Sequence, residues 1–388
     1  MHFVTFILKN LTRRPVRTAL TVLGLAVAVG SMIALLALSY NVEKSVESAF
    51  DRRRVDLIVM QAGKSSGLNS DFGEDLVERT RQLPEVVQAS EGVVDMADVT
   101  RASGGVDPVL IQGWKADNFG FEDIQILSGR KFEAGERHKV MLGGTLATNL
   151  NKKVGDKLVL GGDTDNPYEV IAVFKSFVVF EQGGAIVPFK DAQVITGKRG
   201  RVTGFSVRVK KSSPDSAAEV EQVRQQIDAL RDPDDPTVRL SAQTPETYVN
   251  SVSQLKLIRA VSWLVSVIAL AIGVISMLNT MAMSVLERTQ EIGILRAVGW
   301  PRGRVIRMIL GEAVILAVAA ALAGTAIAFF GMQALTLSPK VNGFIDPELA
   351  PAVIARGVGI TVLMGVIGGA YPAYRAARLL PTEALRHD

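Results

Sequence analysis

Residues 287–312 read ERTQEIGILRAVGWPRGRVIRMILGE, a short charged stretch between two long apolar segments. The segments on either side, 260–286 and 313–339, contain no charged residue. At about 1.5 Å per residue, each is long enough as a helix to cross a hydrocarbon layer about 30 Å thick. The charged stretch is therefore predicted to lie at a membrane surface. Its arginines outnumber its glutamates, which is typical of a cytoplasmic segment.

The pattern of uncharged segments predicts a membrane protein with four transmembrane α-helices and a large mixed α/β extracytoplasmic domain inserted between helices 1 and 2. Residues 18–42 and 357–374 supply the other two segments, the latter extended back to Leu349. The four predicted spans are 18–42, 251–286 (with an outward stalk), 302–339 and 349–374. Outside the membrane the sequence predicts a two-lobed outer domain at 43–250 and an outer loop at 340–348. On the cytoplasmic side it predicts an interfacial elbow helix at 1–17, a surface helix at 287–300 and a tail at 375–388.

The distribution of basic residues predicts the orientation. Arginines and lysines of the short loops cluster before the first span, in the charged stretch, and after the fourth span. By the positive-inside rule both termini are cytoplasmic and the outer domain is extracytoplasmic. The first span is longer than the apolar core of a cleavable signal peptide, so we interpret it as an uncleaved anchor. Residues 1–17 form either an interfacial helix or a frayed tail.

Composition argues against several functions. The net charge of +4 arises from the cytoplasmic segments, and no basic groove with interleaved aromatic residues is present, which argues against nucleic-acid binding. The chain has no cysteine, so neither disulfides nor thiolate metal sites can form. The histidines are His2, His138 and His387, too scattered for a metal site or a catalytic relay. We predict no catalytic and no metal-binding residues.

Two short motifs resemble ligand loops but lack essential positions. Gly63-Lys64-Ser65 matches the end of a phosphate-binding loop, yet Ile58 stands where the first glycine belongs. The sequence beginning at Asp163 resembles the start of a calcium loop without its glycine and distal glutamate. The first is predicted to be a flexible loop and the second a hairpin turn.

Polar residues at membrane depth are candidates for function. Glu312 lies about one turn into the third span, where an unpaired carboxylate is costly. It either pairs with an arginine such as Arg307 or Arg375, or takes a direct part in transmitting motion. Asn279 in the second span is predicted to form interhelical hydrogen bonds.

Small residues four positions apart predict close helix packing in the membrane. Such pairs let helix backbones approach, within one chain or between two copies. They are Ala26 with Gly30, Ala320 with Gly324, and Gly365 with Gly369.

Within the charged stretch, Gly299 and Pro301 predict a hinge between two helices. Glycine favours the position after a helix and proline the first turn of the next. The stretch therefore predicts a short surface helix over residues 287–298, continuous with the second span. A rigid helix of this kind can transmit force.

Three stretches together resemble a known family. They are residues 8–24, LKNLTRRPVRTALTVLG; residues 287–299, ERTQEIGILRAVG, followed by Glu312; and residues 371–386, YPAYRAARLLPTEALR. The chain resembles the permeases of MacB, LolC/LolE and FtsX type, the membrane subunits of mechanotransmission (type VII) ABC transporters. The similarity extends from end to end. The length of the outer region fits the MacB/LolC branch better than the compact FtsX branch.

The resemblance implies a dimer, formed with a second copy or a homologue, in a bacterial inner membrane. It also implies a cytoplasmic ABC ATPase on a separate chain, and that ATPase would bind ATP and Mg²⁺. This chain itself is expected to need no cofactor and to be no enzyme. A periplasmic adaptor is a further possible partner besides the lipid bilayer. By analogy the ATPase contacts are Glu287, Arg288, Glu291, Ile292, Leu295 and Arg296.

The leading hypothesis is a permease subunit that uses ATP-driven motion of its outer domain to export or extract a substrate at the outer face of the membrane. The alternative is an FtsX-like transmembrane regulator of a cell-wall hydrolase. A sensor without an ATPase is disfavoured, because no kinase or linker domain follows the fourth span.

Overall fold

The computed structural model describes residues 15–64, 66–100, 105–212, 217–233, 235–337 and 348–379. The chain divides into two compact units. The membrane unit comprises Met1–Tyr40, Arg259–Ala334 and Pro347–Asp388, and the outer unit comprises Asn41–Ile258 and Leu335–Asp346. Over the described residues the helices are α1 (Pro15–Arg52), α2 (Asp75–Arg81), α3 (Gly144–Leu150), α4 (Val179–Gln182), α5 (Phe189–Ile195), α6 (Ala217–Ala229), α7 (Pro245–Ser251), α8 (Ser253–Glu287), α9 (Thr289–Ala297), α10 (Arg302–Thr336) and α11 (Pro351–Ala377).

The four predicted spans are confirmed as helices. By length and composition α1, α8, α10 and α11 are each long and apolar enough to cross a membrane. Helix α1 continues to Arg52, beyond the predicted end of the span at residue 42, because residues 43–52 are mostly helix-forming. Of the predicted elbow, residues 15–17 belong to α1 and the others lie outside the described residues, as do most of the predicted outer loop and tail.

Small residues bring α1 against α10. A Cβ atom built on Gly30 would lie 2.8 Å from the carbonyl oxygen of Gly324, and one built on Gly324 would lie 2.9 Å from the carbonyl oxygen of Ala26. No side chain fits at either glycine without moving a backbone. The two helices are therefore in backbone contact, the arrangement that small residues four apart permit.

Nearer its N-terminus, α10 contacts α11 in the same way. A Cβ on Gly365 would lie 2.6 Å from that of Ala317, and a Cβ on Gly369 would lie 2.7 Å from that of Ala313. Ala320, the remaining member of the predicted pairs, is fully buried on α10. Helix α10 thus meets both α1 and α11 through small residues.

The outer unit contains a ten-stranded mixed sheet in the order β12-β1-β11-β3-β4-β9-β6-β8-β5, with β7 paired to β3 and β8. Most pairs are antiparallel, and β4 with β9 and β6 with β8 are parallel. A second, two-stranded sheet joins β10 to β2. The strands are β1 (Leu57–Gln61), β2 (Phe72–Gly73), β3 (Val86–Thr100), β4 (Val106–Trp114), β5 (Gln125–Gly129), β6 (Lys139–Gly143), β7 (Lys157–Leu160), β8 (Tyr168–Lys175), β9 (Ala185–Pro188), β10 (Arg201–Val202), β11 (Gly204–Val209) and β12 (Leu240–Gln243).

The two lobes predicted for the outer domain are not separated in the sheet. The sequence predicts the boundary between the lobes near residues 129–137, between β5 and β6, but both of these strands pair with β8. One sheet therefore runs across the predicted boundary. The residues on its faces form separate hydrophobic clusters, one around Phe72 and Val93 and another around Phe121 and Phe174.

From Thr244 the sequence has a helical pattern without a breaker, which predicts one uninterrupted helix into the second span. The structure differs from this prediction. Helix α7 begins with Thr244 as its cap and ends at Ser251. Val252 has extended backbone angles, φ −62° and ψ 122°, and α8 starts at Ser253. Position 252 carries neither glycine nor proline, so the sequence offers no local signal for this break.

The hairpin turn predicted at Asp163 is confirmed. Strands β7 and β8, which flank it, pair antiparallel. The Asp163 carboxylate accepts hydrogen bonds from the backbone N–H groups of Asp165, at 3.1 Å, and Asn166, at 3.2 Å. An aspartate that binds the backbone two residues on is a common turn device.

Candidate functional site

The charged stretch folds as a short helix, α9, between two of the long helices. Arg288 separates it from α8 with φ −112° and ψ 19°, angles outside the helical region. The prediction of one continuous lever is therefore replaced by two helices with a break at a single residue.

Gly299 ends α9 as predicted. Its φ of +98° is readily adopted only by glycine. The Gly299 N–H donates to the Arg296 carbonyl and the Trp300 N–H to the Leu295 carbonyl, both at 3.1 Å. This pair of bonds is the Schellman arrangement. Pro301 directly precedes the first residue of α10, so both predicted hinge residues lie in the connection between the helices.

Arg288 binds Glu312. Its Nη1 donates to Glu312 Oε1 at 2.7 Å, and its Nε donates to Glu291 at 3.2 Å. The Glu312 side chain is only 4% exposed. Burial alone would lower the pKa of Arg288, but the carboxylates of Glu312 and Glu291 together more than offset this, so the pKa is raised above its usual value.

The partner of Glu312 corrects the sequence-based prediction. The sequence predicts pairing with an arginine such as Arg307 or Arg375; the pairing is confirmed, and the arginine that the structure shows is Arg288. Arg307 instead donates through Nε to the Gly303 carbonyl of its own helix. Arg288 reaches Glu312 because the break between α8 and α9 places it beside α10.

Glu287, the last residue of α8, binds α1. Arg17 donates from Nη1 and Nη2 to the two carboxylate oxygens of Glu287, each at 2.6 Å. One layer deeper, the hydroxyls of Thr21 and Thr280 lie 3.3 Å apart. A bidentate arginine–carboxylate pair fixes both distance and orientation. Consecutive residues thus attach the end of α8 to α1 and to α10.

The six predicted ATPase contacts do not form one surface. Ile292 is 2% exposed and packs in the core of the membrane unit, so it cannot belong to a docking face. Glu287 and Arg288 are engaged as described, and Arg296 donates to the Trp300 carbonyl at 2.9 Å. Glu291 is exposed and Leu295 is half-buried.

The surface that α9 leaves accessible lies on another side of the helix. We name it the outward face and define it by Gln290 and Ile294 of α9 and by Val298 at its C-terminal end, which follow one another at intervals of four residues. Ile294 is 52% and Val298 78% exposed. Large apolar side chains exposed together on a short helix are typical of a docking surface. Sequence reasoning missed this face, although its spacing was visible.

The last predicted polar residue, Asn279, lies exposed on α8. Over the described residues no group of three or more His, Cys, Asp or Glu side chains could hold a metal ion. The polar chemistry of this region consists of ion pairs that hold helices in place.

Family models match most of the chain. Residues 18–230 match the MacB-like periplasmic core domain, and residues 263–381 match the FtsX-like permease C-terminal domain. The chain belongs to the MacB/FtsX-type ABC transporter permeases. In this permease the first match covers more than half of the residues, and the second includes most of α8 and all of α9 and α10.

Relatives of the permease include two proteins named macrolide export ATP-binding/permease protein MacB. That of Bdellovibrio bacteriovorus is 26% identical over 98% of this chain and 61% of its own length, and that of Agrobacterium fabrum is 28% identical over 96% and 58%. The permease thus spans about three fifths of these relatives. The uncharacterized ABC transporter permease YknZ of Bacillus subtilis is 24% identical over 98% of each chain.

Among solved structures, the permease is similar to the periplasmic region of MacB from Actinobacillus actinomycetemcomitans. That comparison has a TM-score of 0.42 and 10% identity, and covers 54% of this chain and 98% of that one. The extracellular domain of YknZ gives a TM-score of 0.37 and 17% identity, and covers 49% and 98%.

Proposed function

We propose that the permease couples ATP hydrolysis by a cytoplasmic ABC ATPase to movement of its outer domain, and so drives export or extraction of a substrate at the outer face of the inner membrane. ATP and Mg²⁺ would be bound by the ATPase. The outward face of α9 would be the docking surface, with both termini on the same cytoplasmic side and a second permease copy or homologue completing the assembly.

The observation that carries this proposal is that one short helix, α9, has an exposed apolar face and is connected at its start to two of the long helices. Ile294 and Val298 offer apolar contacts to a partner. Arg17–Glu287 and Arg288–Glu312 connect the start of α9 to two of the long helices. A partner bound to α9 would therefore act on several helices at once.

The match of residues 18–230 to the MacB-like periplasmic core domain favours transport over the FtsX-like regulatory alternative. The name of the MacB relatives includes macrolide export. An apolar compound exported in the same manner is a reasonable first substrate class to assay.

Replacing Ile294 and Val298 by aspartate should remove the ATPase from the permease. Each change places a charge where a partner would bury apolar surface, and central apolar contacts of an interface contribute roughly 2 kcal/mol or more each. We therefore expect the vanadate-sensitive ATP hydrolysis that co-purifies with the affinity-tagged permease from its native membranes to fall at least about tenfold.

The matched control carries aspartate at two exposed apolar positions of the outer unit, Val106 and Leu127. This control should retain the co-purifying ATPase activity. The coupling proposal fails if the wild-type permease brings down no ATP hydrolysis, or if the α9 double variant, with unchanged thermal stability, retains all of it.

A further inference from the structure

The outer unit contains a cavity of about 370 Å³, lined mainly by apolar and aromatic side chains. Cavities that bind small molecules typically enclose about 300–1,000 Å³ and have this kind of lining. All residues that line this cavity belong to residues 46–255, within the outer unit. It is separate from α9 and its ion pairs.

Two glycines lie in the floor of the cavity. Gly92 of β3 lies directly opposite Gly204 of β11, and on its other side opposite Trp114 of β4. Side chains directly opposite each other on antiparallel strands project from the same face of a sheet. At the centre of this face, two neighbouring positions therefore have no side chain. A Cβ atom built on Gly92 would have its nearest neighbour, the Gly113 carbonyl oxygen, at 3.8 Å, so the space above it is open.

Aromatic side chains cover the opposite wall. Phe50, near the end of α1, and Tyr248 of α7 form an edge-to-face pair with ring centroids 5.6 Å apart. Phe119 packs with them against Val55 and Ile58. Apolar surroundings raise the pKa of the Tyr248 phenol, so its hydroxyl is protonated at neutral pH.

The charged groups at the rim neutralise one another. Arg53 donates two hydrogen bonds to Glu181, at 3.1 and 2.9 Å, and its Nε lies 3.5 Å from the Asp123 carboxylate. Arg53 and Glu181 are both buried. A charged ligand would thus lose hydration without gaining a counter-ion of its own.

Neutral hydrogen-bonding groups lie on the floor. Ser206 of β11 is opposite Ser90 of β3, and Gln112 of β4 is opposite Val94, so these polar side chains project from the same face as Gly92. All three line the cavity. Hydroxyl and amide groups can donate to or accept from an uncharged polar group.

We propose that this cavity binds an uncharged amphiphile, whose apolar chain or ring lies among Phe50, Phe119 and Tyr248 and whose polar group is hydrogen-bonded by Ser90, Ser206 or Gln112. This chemical class of ligand is inferred from the apolar lining, from the uncharged hydrogen-bond donors and acceptors, and from the charged side chains that neutralise one another. The inference does not depend on ATPase coupling, because no residue of α9 takes part.

Binding can be measured through Trp114, which lines the cavity and is one of three tryptophans in the chain. Trp263 and Trp300 are replaced by phenylalanine in the full-length permease in detergent, so that Trp114 alone emits. Bromodecanol, an uncharged amphiphile with a heavy-atom quencher, is then titrated. We expect saturable quenching, and an apparent affinity for bromodecanoic acid at pH 7 at least about tenfold weaker, since burying the unpaired carboxylate costs free energy.

Gly92→Leu should weaken bromodecanol binding at least tenfold by filling the floor, whereas Val87→Leu, which enlarges an exposed side chain of the same strand, should leave it unchanged. If Gly92→Leu does not fold, Ser206→Leu fills the same space from β11. Absence of saturable quenching, equal affinity in the filled variant, or equal affinity for the acid would each overturn the proposal.

Discussion

Replacing Arg288 by leucine should lower the free energy of unfolding of the membrane unit by about 3–5 kcal/mol, the usual cost of removing one member of a buried ion pair. Glu312 is 4% exposed, so its carboxylate would keep the desolvation penalty without the guanidinium that offsets it. The loss can be measured by titrating SDS into detergent micelles and following helical circular dichroism.

A double-mutant cycle separates the pair from the individual side chains. Arg288→Leu with Glu312→Leu should be more stable than the sum of the single changes indicates, because no unpaired charge remains buried. Arg302→Leu serves as control, since Arg302 is an exposed arginine in the first turn of α10, and should change stability by less than about 0.5 kcal/mol. Additive effects in the cycle would contradict the pairing.

Gly324→Leu should be among the most damaging single substitutions in the membrane unit outside the ion pairs. The new side chain would begin 2.9 Å from the Ala26 carbonyl oxygen and 3.1 Å from the Gly30 nitrogen. Because these are backbone atoms, no rotamer change relieves the overlap, and α1 and α10 must separate. Overpacking typically costs 1–3 kcal/mol, and we expect about 3 kcal/mol or more here.

The control for this substitution is Gly331→Leu on the same helix. A Cβ at Gly331 meets no atom within 4 Å, so the same chemical change occurs without an overlap. Both variants are compared by the SDS concentration at which helical structure is lost and by the yield of monodisperse protein. Equal behaviour of the two variants would show that α1 and α10 are not held by backbone contact.

Much of the membrane unit could be predicted from local sequence. Long segments without charged residues identify the spans, because a charged side chain inside the lipid costs free energy wherever it occurs in such a segment. Gly30 and Gly324 were recognisable because close helix packing needs small residues wherever it occurs. Gly299 was recognisable as a helix end because its positive φ is a local requirement.

The candidate site was harder to predict because it depends on how α9 is rotated. Ile292 and Ile294 are two residues apart, both apolar, and both on plausible helical faces. Only the position of the neighbouring helices makes the first buried and the second exposed. The pairing of Arg288 with Glu312 likewise depends on a break at one residue that no glycine or proline announces.

In the outer unit, too, local sequence does not show which strands lie next to each other. Individual strands such as β8 and β11 were visible in the sequence, but their partners were not. The opposition of Gly92 and Gly204 in the floor of the cavity brings together residues from distant parts of the chain. It becomes visible only once the register of β3 and β11 is known.

The two ion pairs at the end of α8 have a consequence for building hybrid permeases. Glu287 takes its cation from α1, and Arg288 takes its anion from α10, so the first span and the C-terminal half are matched by charge across a long separation in sequence. A chimaera that exchanges only residues 263–381 with a relative retains its own residue at position 17. Such exchanges should therefore succeed most readily when the donor also carries an acidic residue at the position equivalent to Glu287.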